Sequence, residues 1–244
     1  MKSEDARTLF VAGTDTGVGK SVVSSWLLRS ARAQGLRVAA MKPVASGAVR
    51  TRRGWRNDDA LQLIEAMGGD VEDPALYARV NPYCFEPPIS PHLAAREAGV
   101  RIDLAHLNTL ARQWASRHDL LVIEGAGGWL APLDDEHQSM ADLAVTFGAP
   151  VLLVVGLRLG CLNHAALTLR AIRASGLPFA GWIGNAIDPH FERVEENVDT
   201  LTRRLGTPPL ALHPHEPDPA ARTRLPPLPN DRWVDIAGRS NGSP

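Results

Sequence analysis

Short apolar runs alternate with amphipathic stretches along this chain. Residues 9–12, 38–41, 120–123, 151–155 and 179–183 are apolar runs of strand length. Helical spacing or end signals mark the stretches between them. One helix is predicted over 20–34, stopped by Gly35, and another runs from Asn57-Asp58-Asp59 to Gly68-Gly69. Ser90-Pro91 opens a third, with Ser90 as cap and Gly99 as stop. Asp103 precedes Leu104, Leu107, Leu110, Ala111 and Trp114 at helical spacing. Residues 163–175 and about 191–205 read as two further helices, and 43–57 as a polar loop. Continuously apolar strands are covered on both faces. Their alternation with helices predicts an α/β fold, a mostly parallel central sheet with helices on both faces.

The end of the chain breaks this rhythm. Prolines 208, 209, 214, 217, 219, 226, 227 and 229 exclude regular helix and leave little room for a central strand over 208–229. A packed surface loop is the simplest reading, and the chain is predicted to fray beyond Gly238. No repeat or linker divides the 244 residues, so one domain is expected.

Composition narrows the classes. The chain is 44% hydrophobic and 22% charged, as globular domains are. Its 26 basic and 27 acidic residues leave a net charge of −1, so no global field favours nucleic acid or an anionic membrane. No apolar run approaches the roughly 20 residues that span a bilayer. The charged N-terminus lacks the apolar core of a secretory signal. Cys84 and Cys161 make no disulfide or metal framework. These features predict a soluble cytoplasmic protein. Trp26, Trp114 and Trp182 read as core, and Arg50, Arg52, Arg53 and Arg56 as a solvated loop.

The sharpest chemistry is Gly13-Thr-Asp-Thr-Gly-Val-Gly-Lys20-Ser21, between the first strand and the first helix. That is the context of a phosphate-binding loop. Gly17 and Gly19 allow backbone N–H groups to converge on phosphate, and the helix N-terminus adds positive potential. Lys20 reaches the β/γ-phosphates, and the Ser21 hydroxyl can ligate Mg²⁺. Counting back from Lys20, the first motif position is Thr14, with Gly13 one residue early. Glu124 ends an apolar strand before Gly125-Ala-Gly-Gly128 and can serve the same metal. Asp58 and Asp59 are each either a helix cap or a metal ligand. Lys42, at the end of the second strand, faces the ligand crevice or solvent, and Ser46-Gly47 follows in the same loop.

Together these segments resemble the dethiobiotin synthetase family of P-loop ligases over most of the chain. The similarity rests on the phosphate loop, Lys42-Pro-Val-Ala-Ser-Gly47, Arg56-Asn-Asp-Asp-Ala60, Asn81-Pro-Tyr83, Pro88-Ile-Ser-Pro-His92, Glu124-Gly-Ala-Gly-Gly-Trp129 and Leu159-Gly-Cys-Leu-Asn-His164. Two features depart from it. Gly17 stands where some members carry Glu, and Leu212-His-Pro-His-Glu-Pro-Asp218 matches only loosely.

The resemblance implies an enzyme that closes the cyclic urea of dethiobiotin from 7,8-diaminononanoate and CO₂, consuming ATP with Mg²⁺, as a homodimer. It implies nucleotide contacts from Gly17, Val18, Gly19, Lys20, Ser21, Gly125, Ala126 and Gly127, with Asn185 reading the adenine. Ser21, Asp59 and Glu124 would hold the metal, which selects Asp59 over Asp58. Thr16, Lys42 and Ser46 would surround the substrate carbamate, with Lys42, Lys20 and Thr16 as the catalytic set. Gly160, Cys161 and Asn163 would contact the substrate carboxylate from the other subunit. No protein nucleophile is expected, and His92 and His164 read as capping or core residues before proton carriers. Two other classes compete: an amide-forming P-loop ligase, and a nucleotide switch of the partition-ATPase kind. The first needs an ammonia source, and no glutaminase motif is present. The second uses an extra early lysine, which 13–17 lacks.

Overall fold

The computed structural model describes residues 7–218 and 226–228. Met1 to Ala6, Pro219, Pro229 and the tail predicted to fray past Gly238 lie outside the described residues.

The chain opens with strand β1 (Arg7–Gly13) and helix α1 (Lys20–Ala33), followed by β2 (Val38–Met41). Three short strands come next: β3 (Val44–Ala45), β4 (Val49–Thr51) and β5 (Gly54–Arg56). Then come α2 (Asp58–Ala66), α3 (Pro74–Val80), β6 (Tyr83–Cys84), α4 (Pro91–Glu97) and α5 (Leu104–Ala115). The second half is β7 (Leu120–Glu124), α6 (Met140–Phe147), β8 (Val151–Leu157), α7 (Cys161–Ala174), β9 (Phe179–Ala186), α8 (Val194–Leu205) and β10 (Ala211–His213). Six strands form one parallel sheet in the order β10-β9-β8-β1-β7-β2. β1 lies inside it, paired with β7 and β8.

Strand alternation sorts the core into two layers. Phe10, Met41, Leu121, Ile123, Leu153 and Trp182 face α4 to α8. Leu9, Val11, Val38, Val122, Val154 and Ile183 face α1 and α2. The second face has fewer helices, and the end of the chain helps to cover it. Leu228 is 1% exposed within that layer. Its N–H donates to Ser30 Oγ (3.0 Å), while Trp26 Nε1 donates to the Pro226 carbonyl (2.7 Å) and Gln34 Nε2 to that of Leu228 (3.0 Å). The described end of the proline-rich stretch is therefore packed surface chain, and β10 adds an edge strand where a Pro-poor triplet permits one.

Several local expectations change. The loop over 43–57 contains β3, paired with β6, and a β4–β5 hairpin. Arg56 is not solvated: it is buried, its guanidinium 4.1 Å from the centre of the Tyr77 ring. Ser90 does not cap α4 with its hydroxyl, which lies 2.9 Å from His92 Nδ1 instead. Helices α3 and α6, of 7 and 8 residues, carry too few turns for an apolar period to show. Asp73 caps the first, and Asp142 accepts from the N–H of Ser139 (2.8 Å) at the start of the second. α8 begins at Val194, after Arg193 takes a left-handed φ of 56°. Trp26 and Trp182 are core residues as expected, and Trp114 is half-buried.

Candidate active site

The ends of β1, β2 and β7 bring the predicted residues together. One cavity of about 330 Å³ is lined by Thr16, Gly17, Gly19, Lys20, Ser21, Lys42, Ser46, Asn57, Asp59, Ala126 and Gly127, among others. A second, of about 190 Å³, joins Gly17 and Gly19 to Asn185, His213, Pro214, His215 and Glu216. The phosphate loop forms the wall between them.

Gly19 shows why the loop needs glycine. Its φ is 89°, and a Cβ there would lie 2.0 Å from Asn185 Nδ2. That amide donates to the Val18 carbonyl (2.9 Å), which ties β9 to the loop. Lys20 is buried, donating to the carbonyls of Asp15 (2.9 Å) and Gly127 (2.7 Å). Burial, then the neighbouring Lys42, push its ammonium down to about 8 against the pull of Glu124 and Asp59.

Lys42 lies at the centre of the acidic pair. Its Nζ is 2.6 Å from Glu124 Oε1 and 2.8 Å from Asp59 Oδ2. Burial disfavours its charge, but Glu124 and Asp59 outweigh burial and raise its pKa. Burial likewise opposes the charge on Asp59, and Lys42 overrides it to hold the carboxyl below its usual range. Asn57 caps α2, accepting from the N–H groups of Asp59 (3.1 Å) and Ala60 (3.4 Å). The Asp59 side chain is thus free for the cavity, while Asp58 points to solvent.

The donors suit Mg²⁺. Glu124 is fully buried; Oε1 accepts from Ser21 Oγ (2.8 Å) and Lys42, while Oε2 has no hydrogen-bond partner among the described residues. Two carboxylates and a hydroxyl are a hard oxygen set, of the kind that binds Mg²⁺ with substrate phosphates completing the shell. No group of three or more His, Cys, Asp or Glu side chains suited to a metal occurs among the described residues.

The predicted substrate-carboxylate residues lie elsewhere. Gly160, at φ 94°, and Cys161 open α7, and Asn163 is exposed in its first turn. None of the three lines either cavity. Leu159 beside them is 91% exposed. His92 and His164 also lie outside both linings.

Sequence reasoning missed three features. Arg158 Nη2 lies 2.5 Å from Asp15 Oδ2, joining the β8–α7 turn to the phosphate loop. Tyr77 and Asn81 form a buried network beneath Lys42. His213 is 4% exposed, edge-on to Trp26 at 4.8 Å, with neither ring nitrogen partnered among the described residues. A histidine in an otherwise strand-like triplet next to proline was the available signal for the last.

A parallel sheet with a glycine-lysine-serine loop at the end of an inner strand defines a P-loop nucleotide-binding α/β protein. The fold resembles that of a ParA-family ATPase from Chlorobium tepidum (TM-score 0.54, 16% identity, covering 96% of this chain and 94% of that one). It also resembles the MinC:MinD cell division complex of Aquifex aeolicus (TM-score 0.58, 16% identity, 98% of each chain). At that identity the likeness concerns the fold alone. A family model described as an AAA domain matches residues 7–223. ATP-dependent dethiobiotin synthetases are much closer in sequence. That of Pseudomonas paraeruginosa is 49% identical over 215 residues, covering 87% of this chain and 92% of its own. That of Aromatoleum aromaticum is 46% identical over 227 residues (91% and 99%), and that of Xanthomonas oryzae pv. oryzae 47% over 212 (87% and 92%). The chain belongs to the dethiobiotin synthetase family.

Proposed function

We propose that this protein is an ATP-dependent ligase that closes the ureido ring of dethiobiotin from 7,8-diaminononanoate and CO₂, releasing ADP and phosphate. The observation that carries the reading is one cavity holding Lys20, Lys42, Ser21, Asp59, Thr16 and Ser46, with buried Glu124 bonded to Lys42 and Ser21. One neutral amine of the diamine takes up CO₂ and gives a carbamate, its N–H proton passing to solvent. Lys42, Thr16 and Ser46 hold that anion. A carbamate oxygen attacks the γ-phosphorus, ADP leaves, and Lys20 and Lys42 neutralise charge as the phosphoryl group passes. The second amine then attacks the carbonyl carbon of the mixed anhydride and loses a proton. Phosphate departs as the ring closes, and no protein nucleophile is needed.

Ser21, Asp59 and Glu124 would hold Mg²⁺, which supplies charge neutralisation and orientation at the phosphates when bound. Asn185 reads the base from the second cavity. Gly160, Cys161 and Asn163 lie outside the two cavities described above, which supports their serving a neighbouring subunit's site in a homodimer. Among the described residues no helix is long and apolar enough to cross a membrane; the reading is of a cytoplasmic enzyme.

Phosphate release from Mg²⁺-ATP, measured with and without the diamine plus bicarbonate and with the product identified by mass, tests the reaction. Release that ignores the diamine would overturn it. Glutamine-dependent amide formation would point to another ligase. Sedimentation, and restored activity on mixing Asn163→Ala and Lys42→Gln chains, tests the shared site.

A further inference from the structure

Lys42 and Asp59 come from different elements, the end of β2 and the first turn of α2, and something must set their spacing. A single buried phenol lies behind both. The Tyr77 hydroxyl accepts from the Asn57 N–H (2.7 Å), lies 3.1 Å from Asn81 Oδ1 and 3.3 Å from Cys84 Sγ. The proton positions follow from the partners. Asn81 Nδ2 faces two carbonyls, those of Lys42 (2.8 Å) and Tyr83 (3.1 Å), so it donates to both. Its Oδ1 is therefore an acceptor, and the phenol donates its one proton there. The Asn57 N–H and the Cys84 thiol fill the two acceptor positions on the phenol oxygen.

From this hub two arms reach the site. Through Asn81, the phenol fixes the Lys42 backbone carbonyl. Through Asn57, it fixes the cap that holds the Asp59 N–H, while Asn57 Nδ2 also donates to the Ser46 carbonyl (3.2 Å). Tyr77 is 4% exposed, Asn81 2% and Asn57 8%, so none of these bonds is readily replaced by water. The Arg56 guanidinium lies over the ring and holds its plane.

We propose that Tyr77 is a positioning residue that sets Lys42, Ser46 and Asp59 relative to one another, with Asn81 carrying the Lys42 arm and Asn57 the Asp59 arm. The inference rests on the roles given above to Lys42 and Asp59. Tyr77 touches no substrate; it acts through backbone groups of residues that do.

Tyr77→Phe deletes the hydroxyl and keeps the ring beneath Arg56. Ile64→Val, in the same small apolar cluster, is the control for simple loss of stability. Mn²⁺ affinity in the presence of ADP, read by electron paramagnetic resonance, reports the Asp59 arm without turnover. Steady-state kcat and the KM for the diamine report the Lys42 arm. Tyr77→Phe orphans the Asn57 N–H and Asn81 Oδ1 together and is expected to weaken Mn²⁺ binding several-fold and lower kcat roughly tenfold. Ile64→Val should leave both unchanged. Asn81→Ala should lower kcat while Mn²⁺ affinity holds. If Tyr77→Phe melts earlier yet matches Ile64→Val in Mn²⁺ affinity and kcat, the inference is wrong. Asp59→Asn separates that failure from failure of the underlying reading. If it too leaves Mn²⁺ affinity unchanged, Asp59 is no metal ligand and the Asp59 arm falls with it, and the Lys42 arm is then decided by kcat in Asn81→Ala.

Discussion

The Lys42 ammonium and the Glu124 carboxylate meet at 2.6 Å with their side chains 4% and 0% exposed, so the buried carboxylate depends on Lys42 to remain in the interior, while Lys42 also holds Asp59. Removing one partner of such a pair costs about 3–5 kcal/mol, because the survivor is left buried and uncompensated. Lys42→Gln should destabilise the protein on that scale, and Lys42→Gln with Glu124→Gln should recover much of it. Urea unfolding of the two single variants and the double measures the coupling. Turnover of Lys42→Gln should fall by roughly 10²–10³, as lost transition-state charge stabilisation does.

Asp59 behaves differently because its side chain is 40% exposed. Asp59→Asn should change stability by no more than about 1 kcal/mol. Its Mg²⁺ requirement should rise roughly 10–100-fold, the range found when even an outer partner of a metal ligand is lost. A Mg²⁺ titration of phosphate release at fixed ATP reads this directly.

Lys20 is held down to about 8, below the 10.5 of a free lysine. The cost of burying its charge is present at neutral pH and is relieved between about 8 and 10.5, so its contribution to stability rises with pH there. Phosphate binding works in the opposite sense, since it needs the ammonium. ATP affinity should fall as pH rises above about 8, with proton uptake on binding. Lys20→Arg should not show that fall. Calorimetric titrations in two buffers of different ionisation enthalpy give both quantities.

His213 is neutral in the folded protein, its pKa lowered to about 4 by burial and then by the nearby Arg29. The unfolded chain protonates first, near 6.5, so stability from this group is intact above 6.5 and lost as pH falls from 6.5 to 4. The loss should approach about 3 kcal/mol. In His213→Leu that part of the acid dependence should vanish, as thermal unfolding across pH 4–7 would show.

Leu228→Ala should cost about 2–5 kcal/mol, the usual range for a buried leucine, although it lies in a stretch that reads as a surface loop. Urea unfolding midpoints of the variant and the parent protein measure the loss.

The main strands and the phosphate loop were legible because they depend on local signals: unbroken apolar runs, and a glycine-lysine-serine turn between strand and helix. Glu124 was legible because it ends a parallel strand, where a ligand crevice forms; the same position left Lys42 open between crevice and solvent until the resemblance assigned it. Spacing left Asp58 and Asp59 open. The structure distinguishes them only because Asn57 takes the cap and Lys42 comes from another strand to meet Asp59. Tyr77, Arg158 and Arg56 were illegible for the same reason: each acts across contacts between segments distant in sequence or through a stack on a neighbouring element. The Asp15–Arg158 pair spans 143 positions. No periodicity encodes such a meeting, and the two-residue strands β3 and β6 exist only through each other.

The sheet order also bears on how the protein is made. β1 leaves the ribosome first, but its two neighbours begin at Leu120 and Val151. The N–H of Thr14, which starts the phosphate loop, finds its acceptor in the carbonyl of Val154 at 3.0 Å. A nascent chain shorter than this has the loop sequence but not the frame that shapes it. The capacity to hold a nucleotide should therefore arise late in synthesis, only after β8 has emerged.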